Sequence, residues 1–322
     1  MKKTFIILFA LVLSLIVSEF IIGNILSYPK RVGQRKFVYA TNIYNNEILK
    51  WKNPFTKYWT VEGGNKVYSY NNLGFPGTDV NINDSSETIF MLGDSFLEAM
   101  QVSPDKMAVS VFADLAKNTN LKPINLGSPN NDAYILWFRA NFYEKYFKPS
   151  YVCLTVTCLE VLKLNFNNHT YPFKFSLPEN FGNQVNDSRI ERFANVFRNN
   201  LAFVNLLANG INNYSTNTKY APKLLPELSG SKDYHHVLEN LKECLVKYKN
   251  KYGDNFFVVS MEPEETNNVL LSSICDSLKI NYSRKNLLVE ENIIKGGSHL
   301  NELGNQKLGE LFYDTFIKFY KK

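Results

Sequence analysis

Three short apolar runs constrain this chain most: Ile89–Leu92, Tyr151–Val156 and Phe256–Ser260. Each is nearly continuous in hydrophobicity rather than alternating, which is the pattern of a strand covered on both faces. Helix-period stretches separate them. The spacing predicts helices over Asp105–Lys117, Ala133–Tyr146, Asp233–Lys249, Glu264–Leu278 and Asn305–Tyr320, with Ser103-Pro104 starting the first. A short strand is expected at Pro123–Leu126. Strands alternating with helices predict an α/β fold, a parallel sheet wrapped on both sides.

At 322 residues the chain holds one large domain, or a domain with an insertion. Its net charge is +6, and the basic residues are scattered rather than blocked with aromatics, so no nucleic-acid surface is expected. Cys153, Cys158, Cys244 and Cys275 form no CxxC pair. Cys153 and Cys158 point to opposite faces of one strand and cannot bridge each other. All four read as small buried apolar residues, with long-range disulfides left open. Histidines in HxxxH or HxH spacing are absent, so neither a metal nor a cofactor is expected.

Residues 1–27 read as an N-terminal membrane anchor or signal. Lys2 and Lys3 precede an apolar run from Thr4 to Leu26, long enough to cross a bilayer core. No A-x-A cleavage site and no lipid-accepting cysteine follow, which favours an uncleaved transmembrane helix over a cleaved signal. Lys2 and Lys3 argue for a cytoplasmic amino terminus, whereas Lys30, Arg31, Arg35 and Lys36 argue for the reverse. Glu19 fits the far side of the span, near the interface.

Residues 28–85 form an aromatic, Asn-rich, irregular lead-in that ends in the turn-like Asn71-Asn72-Leu73-Gly74-Phe75-Pro76-Gly77. Residues 86–322 are the α/β domain, interrupted by an insertion at about 165–230 with one helix-like piece at Arg189–Ala208. The insertion is expected to cap the carboxyl ends of the strands, where ligands bind in such sheets; a surface excursion is the alternative.

Candidate chemistry begins where Ile89–Leu92 ends in Gly93-Asp94-Ser95. A serine on the turn after a buried strand is exposed at the sheet's mouth, and backbone N–H groups of the following turn can face an oxyanion there. A simple helix cap is the competing role for Ser95. His299, in Gly296-Gly297-Ser298-His299-Leu300-Asn301, precedes the last helix and falls at the same sheet edge. It is the candidate general base. His235 and His236 on a predicted helix, and His169 in the insertion, read as structural or surface residues.

Phe90–Phe96 with its Gly-Asp-Ser, the later Asn125-Leu126-Gly127, and His299-Leu300-Asn301 with Gly304 resemble the SGNH (GDSL-type) hydrolases, in a divergent form. The lead-in Asn72–Gly77 resembles that of membrane-anchored bacterial members, which often carry Arg where Pro76 stands. The likeness runs from about Asn71 to Lys318, apart from the insertion. It implies a flavodoxin-like three-layer sandwich and an esterase or O-acyltransferase acting on acyl esters of cell-envelope carbohydrate or lipid, a polysaccharide included. It also implies an extracytoplasmic domain, periplasmic or at the cell surface. Ser95 and His299 are then the catalytic dyad, and the oxyanion donors are Ser95, Gly127 and Asn130.

The chain departs from that pattern in three places. Asn130 replaces the second glycine of the oxyanion block. Thr157-Cys158-Leu159-Glu160 stands where Gly-x-Asn-Asp is expected, so an Asn donor is missing. Gly297 and Gly296 occupy the positions, two and three before the histidine, where the acid belongs. Without a carboxylate the imidazole loses its orienting partner; Glu160, Glu290 and Glu291 are candidate substitutes. Three readings follow: a Ser95–His299 enzyme, a degenerate SGNH-fold domain that binds glycan or a protein partner without turnover, and a membrane-anchored accessory protein whose Ser95 only caps a helix.

Overall fold

The computed structural model describes residues 2–25, most of 51–157 and most of 233–320, with short pieces at 34–35 and near 201–207. Helix α1 (Lys2–Phe20) continues through one wider turn to Ile25. Its stretch Lys2–Gly23 has 22 residues, a mean hydropathy of 2.8 and no buried part, so it is long and apolar enough to cross a membrane. A signal sequence passes the same test.

Beyond this helix lie two antiparallel pairs, β1 (Gln34–Arg35) with β2 (Trp51–Lys52), and β3 (Lys57–Thr60) with β4 (Lys66–Ser69). The sheet and its helices follow as β5 (Glu87–Leu92), α2 (Ser95–Glu98), α3 (Ala108–Leu115), β6 (Leu121–Asn125), α4 (Ala133–Phe147), β7 (Tyr151–Val156), α5 (Asp233–Tyr252), β8 (Phe256–Ser260), α6 (Glu265–Ser277), β9 (Asn281–Arg284) and α7 (Glu302–Tyr320). The five strands pair in parallel in the order β6-β5-β7-β8-β9. This is the flavodoxin-like doubly wound order, with its switch point between β5 and β7.

The central strands are buried on both sides, as their continuous hydrophobicity requires. Phe90, Leu92, Val152, Leu154 and Val258 pack under α4, α5 and α6. Ile89, Met91, Cys153, Phe257 and Val259 pack under α3 and α7. The chain is thus a three-layer α/β sandwich, as the SGNH resemblance implies. Edge strand β6 tolerates Pro123, which has no N–H to donate, because only one side of the strand is paired. Cys153, Cys244 and Cys275 are buried, and Cys158 lies outside the described residues.

Two parts of the sequence reading need correction. The expected helix Asp105–Lys117 is broken: a single 3₁₀ turn, Pro104–Lys106, precedes α3, and Met107 between them is extended. Met107 is pulled into a cluster with Tyr58, Tyr70, Ala99 and Val102, and the Ala108 N–H is met by Asn305 Oδ1 from α7 at 3.2 Å. The lead-in is also not irregular throughout. The β3–β4 hairpin pairs Tyr58 with Tyr68 and Thr60 with Lys66, and its tyrosines pack onto the segment just after Ser95. Further on, Asn71 Oδ1 accepts from the Leu73 and Phe75 amides at 3.0 Å each. That turn drives Phe75 between Tyr143 and Phe147 of α4, with ring centroids at 5.1 and 5.8 Å. The insertion at 165–230, including nearly all of Arg189–Ala208, lies outside the described residues, as do His169, Glu160 and Asn130.

Candidate active site

Ser95 stands at the switch point, on the first turn after β5. Gly93 is needed for close packing: a Cβ there would meet Leu97 Cβ at 2.8 Å and Thr155 Cβ at 3.2 Å. Asp94 caps α2, its carboxylate accepting the Phe96 amide at 2.9 Å. Ala99 closes this short turn in the left-handed conformation at φ 53°, with its N–H on the Ser95 carbonyl. Ser95 is therefore held from both sides, and the cap is supplied by Asp94, not by Ser95.

His299 arrives on a tightly stitched loop. The Ile294 and Gly297 amides donate to the His299 and Ile294 carbonyls at 2.9 and 2.8 Å, and Asn301 N donates to Asn292 O at 2.7 Å. Asn301 Oδ1 then caps α7 through the Gly304 amide at 2.9 Å. Leu300, fully buried, carries a carbonyl that accepts from Gln101 Nε2 and Asn305 Nδ2, each at 3.2 Å. These ties set the imidazole beside the serine. His299 Nε2 lies 2.9 Å from Ser95 Oγ, and the Phe96 ring stands 5.1 Å from the imidazole.

The other ring nitrogen meets a carboxylate that sequence reasoning missed. His299 Nδ1 lies 2.6 Å from Glu62 Oε2. Glu62 Oε1 accepts the backbone N–H groups of Ser298 and His299 at 2.8 and 3.1 Å. Glu62 sits in the β3–β4 connection, where Thr60 Oγ1 donates to its carbonyl at 2.7 Å. The expectation of a histidine without an acid is thus corrected. Of the substitutes considered, Glu291 pairs with Lys307 at 2.5 Å, Glu290 is exposed and Glu160 is outside the described residues. One local signal marked the hairpin. Two β-prone runs, Lys57–Thr60 and Lys66–Ser69, flank Val61-Glu62-Gly63-Gly64-Asn65. No local pattern shows which loop that turn faces.

The electrostatics follow from this contact. Burial raises the Glu62 carboxyl, but the hydrogen bond and charge of His299 and the two amides outweigh it, and its pKa falls below the ordinary value. Burial lowers the His299 imidazole, but Glu62, then the Asp94 and Glu98 charges, outweigh it, and its pKa is raised. Asp94 itself is raised, by burial against the opposing Phe96 amide and the His299 charge.

The sequence-predicted oxyanion donors fare unequally. Ser95 is in place. The Gly127 amide donates to Asn125 Oδ1 at 2.9 Å, so it must leave that acceptor to serve an oxyanion. What Gly127 visibly provides is close approach: a Cβ there would stand 2.4 Å from the Glu98 amide nitrogen. Asn125 Nδ2 donates to Leu97 O at 3.0 Å, which binds the end of β6 to α2. His235 and His236 lie on α5.

No family model matches this sequence, and neither does any curated protein. Among solved structures the chain is similar to the psychrotrophic esterase EstA from Pseudoalteromonas sp., at 11% identity and a TM-score of 0.44, over 74% of this chain and 100% of that one. A lipase/acylhydrolase from Enterococcus faecalis is similar at 12% identity and a TM-score of 0.42, over 71% and 95% of the two chains. A carbohydrate acetylesterase family member from Sinorhizobium meliloti is similar at 11% identity and a TM-score of 0.40, over 73% and 100%.

Proposed function

We propose that this chain is a serine esterase of the SGNH kind, with Ser95 as nucleophile, His299 as general base and Glu62 as the acid that orients the imidazole. The observation that carries the reading is the unbroken relay from Ser95 Oγ through His299 Nε2 and Nδ1 to Glu62 Oε2, at 2.9 and 2.6 Å. Ser95 gives its proton to Nε2 as Oγ attacks the acyl carbonyl carbon, and the ring becomes imidazolium against the Glu62 carboxylate. The carbonyl oxygen takes the negative charge, held by the Ser95 N–H as the backbone donor. Collapse breaks the ester bond, and Nε2–H protonates the departing alkoxide. Water, or an alcohol in the transferase variant, then gives a proton to Nε2 and attacks the acyl-serine, and Nε2–H returns that proton to Ser95 Oγ as the C–Oγ bond breaks.

The non-catalytic reading rests on two absences, the acid and the Asn donor. Glu62 removes the first and so favours the enzyme. The apolar N-terminal helix supports a membrane-anchored placement, and the SGNH resemblance supports an extracytoplasmic one and hence an envelope carbohydrate or lipid as carrier of the acyl group.

The test uses the full chain in detergent micelles with a fluorophosphonate, which phosphonylates reactive serines with loss of fluoride and without needing a matched substrate, and with p-nitrophenyl acetate. The expected result is one covalent adduct on Ser95, absent in Ser95→Ala and slowed at least a hundredfold in His299→Ala. A folded wild-type chain that takes no adduct overturns the proposal. Acceptor alcohols added to the p-nitrophenyl acetate reaction then separate transfer from hydrolysis.

A further inference from the structure

Where the resemblance places the acid on the histidine's own loop, this chain has glycine, and the reason is visible. A Cβ on Gly297 would stand 2.3 Å from Glu62 Oε1, 3.0 Å from Glu62 Cδ and 3.1 Å from Glu62 Cγ. All three nearest atoms belong to that one side chain. Gly297 is not in the left-handed region, so backbone freedom does not account for it. Its side-chain volume is filled by the carboxylate that binds His299. A carboxylate grown from position 297 starts inside the same volume, because its next carbon lies roughly 1.5 Å from that Cβ.

We propose that Glu62 and Gly297 form one interchangeable unit: Glu62 is the positioning residue for His299, Gly297 is side-chain-free to admit it, and the acid can be returned to the histidine loop by exchanging the two. The inference rests on the Ser95–His299 reading of the site. It also ties site competence to the docked hairpin, because the α/β domain does not carry its own acid among the described residues. The competing role for Glu62 is a tether that only holds the hairpin to the loop. A tether changes stability. A positioning acid also changes the pH at which His299 works as a base.

The experiment measures the rate of fluorophosphonate labelling of Ser95 between about pH 5 and 9, across the range of a shifted imidazole. It compares the full wild-type chain in micelles with Glu62→Gln, Glu62→Ala, Gly297→Ala and the exchange Glu62→Ala/Gly297→Asp. Glu62→Gln, Glu62→Ala and Gly297→Ala are each expected to slow labelling by roughly 10²–10⁴-fold and to move the midpoint of its rise to lower pH. The exchange is expected to recover at least tenfold over Glu62→Ala and to move the midpoint back up. The inference is overturned by Glu62→Gln within threefold of wild type at an unchanged midpoint, by an unaffected Gly297→Ala, or by an exchange no faster than Glu62→Ala with an intact circular-dichroism spectrum. If the exchange variant does not fold, Glu62→Gln and Gly297→Ala decide. If the wild-type chain does not label at all, the functional reading fails by itself. The His299 imidazole is then titrated by NMR in the same variants: a pKa that drops in Glu62→Gln and Gly297→Ala supports the unit, and one that stays overturns it.

Discussion

Glu62 Oε2 lies 2.6 Å from His299 Nδ1, although 237 residues of chain separate them. The pair joins a hairpin of the lead-in to the loop before the last helix, and both side chains are mostly shielded from water, at 29% and 23% exposure. Shielding makes the contact worth more than a surface ion pair, and about 1–2 kcal/mol is expected for a charged hydrogen bond of this kind.

That contribution has a pH window set by the two shifts. The Glu62 carboxyl is lowered, so its part is present above the ordinary carboxylate range and is lost as pH falls through its folded value. The His299 imidazole is raised, so its part is complete below the ordinary imidazole range and is lost as pH rises through its folded value. The Tm difference between wild type and Glu62→Gln is therefore expected to peak in the mildly acidic interval between them and to shrink on both sides. Scanning calorimetry from acid to mildly alkaline buffer checks this; a flat difference contradicts it. Ser95 reactivity needs neutral imidazole and so rises where this stabilisation fades.

Gly127→Ala tests how the loop after β6 meets α2. The new Cβ would stand 2.4 Å from Glu98 N and 2.8 Å from both Glu98 Cα and Leu97 C, all backbone atoms that cannot step aside. We expect a loss of about 1–3 kcal/mol in urea unfolding, together with slower Ser95 labelling as the Asn125 ties to Leu97 and Gly127 are strained. Unchanged stability would show that the loop shifts freely.

Asp94 separates capping from charge. Asp94→Ala removes the acceptor for the Phe96 amide and is expected to cost about 1 kcal/mol. Asp94→Asn keeps an acceptor oxygen and is expected to retain most of that stability. It also removes one of the charges that raise His299, so its labelling midpoint should fall slightly below wild type. Thermal melts paired with pH profiles distinguish the two effects.

Phe75 carries the other attachment of the lead-in. It is 1% exposed and sits edge-on to Tyr143 and Phe147. Phe75→Ala leaves a cavity beneath α4 and is expected to cost about 3–5 kcal/mol. Chemical denaturation measures it, and a cost below 1 kcal/mol would mean that the Asn71 turn, not the ring, holds the segment.

The runs Tyr151–Val156 and Phe256–Ser260 were legible to the residue, because a strand buried on both faces is apolar at nearly every position and stands out from a polar background. Strand β9, Asn281–Arg284, was not legible. It is a half-buried edge, reading Asn-Tyr-Ser-Arg, whose pairing with β8 is made by backbone groups that leave no mark on side-chain hydrophobicity. The break at Met107 was hidden for a related reason. Helical periodicity continues through it, while tertiary contacts with Tyr58 and Tyr70 decide the backbone.

The site divides the same way. Ser95 and His299 were readable, because each sits where a local signal ends an element: Gly-Asp-Ser after a buried strand, and a Gly-rich loop into a helix. By itself the sequence determined the α/β class, the apolar first helix, the serine and the histidine, since all are written in near-neighbour patterns of hydrophobicity and turn chemistry. Glu62 was decided only by the tertiary structure. A carboxylate finds its imidazole through space, and nothing in a solvent-compatible glutamate on a hairpin tells which loop will close over it.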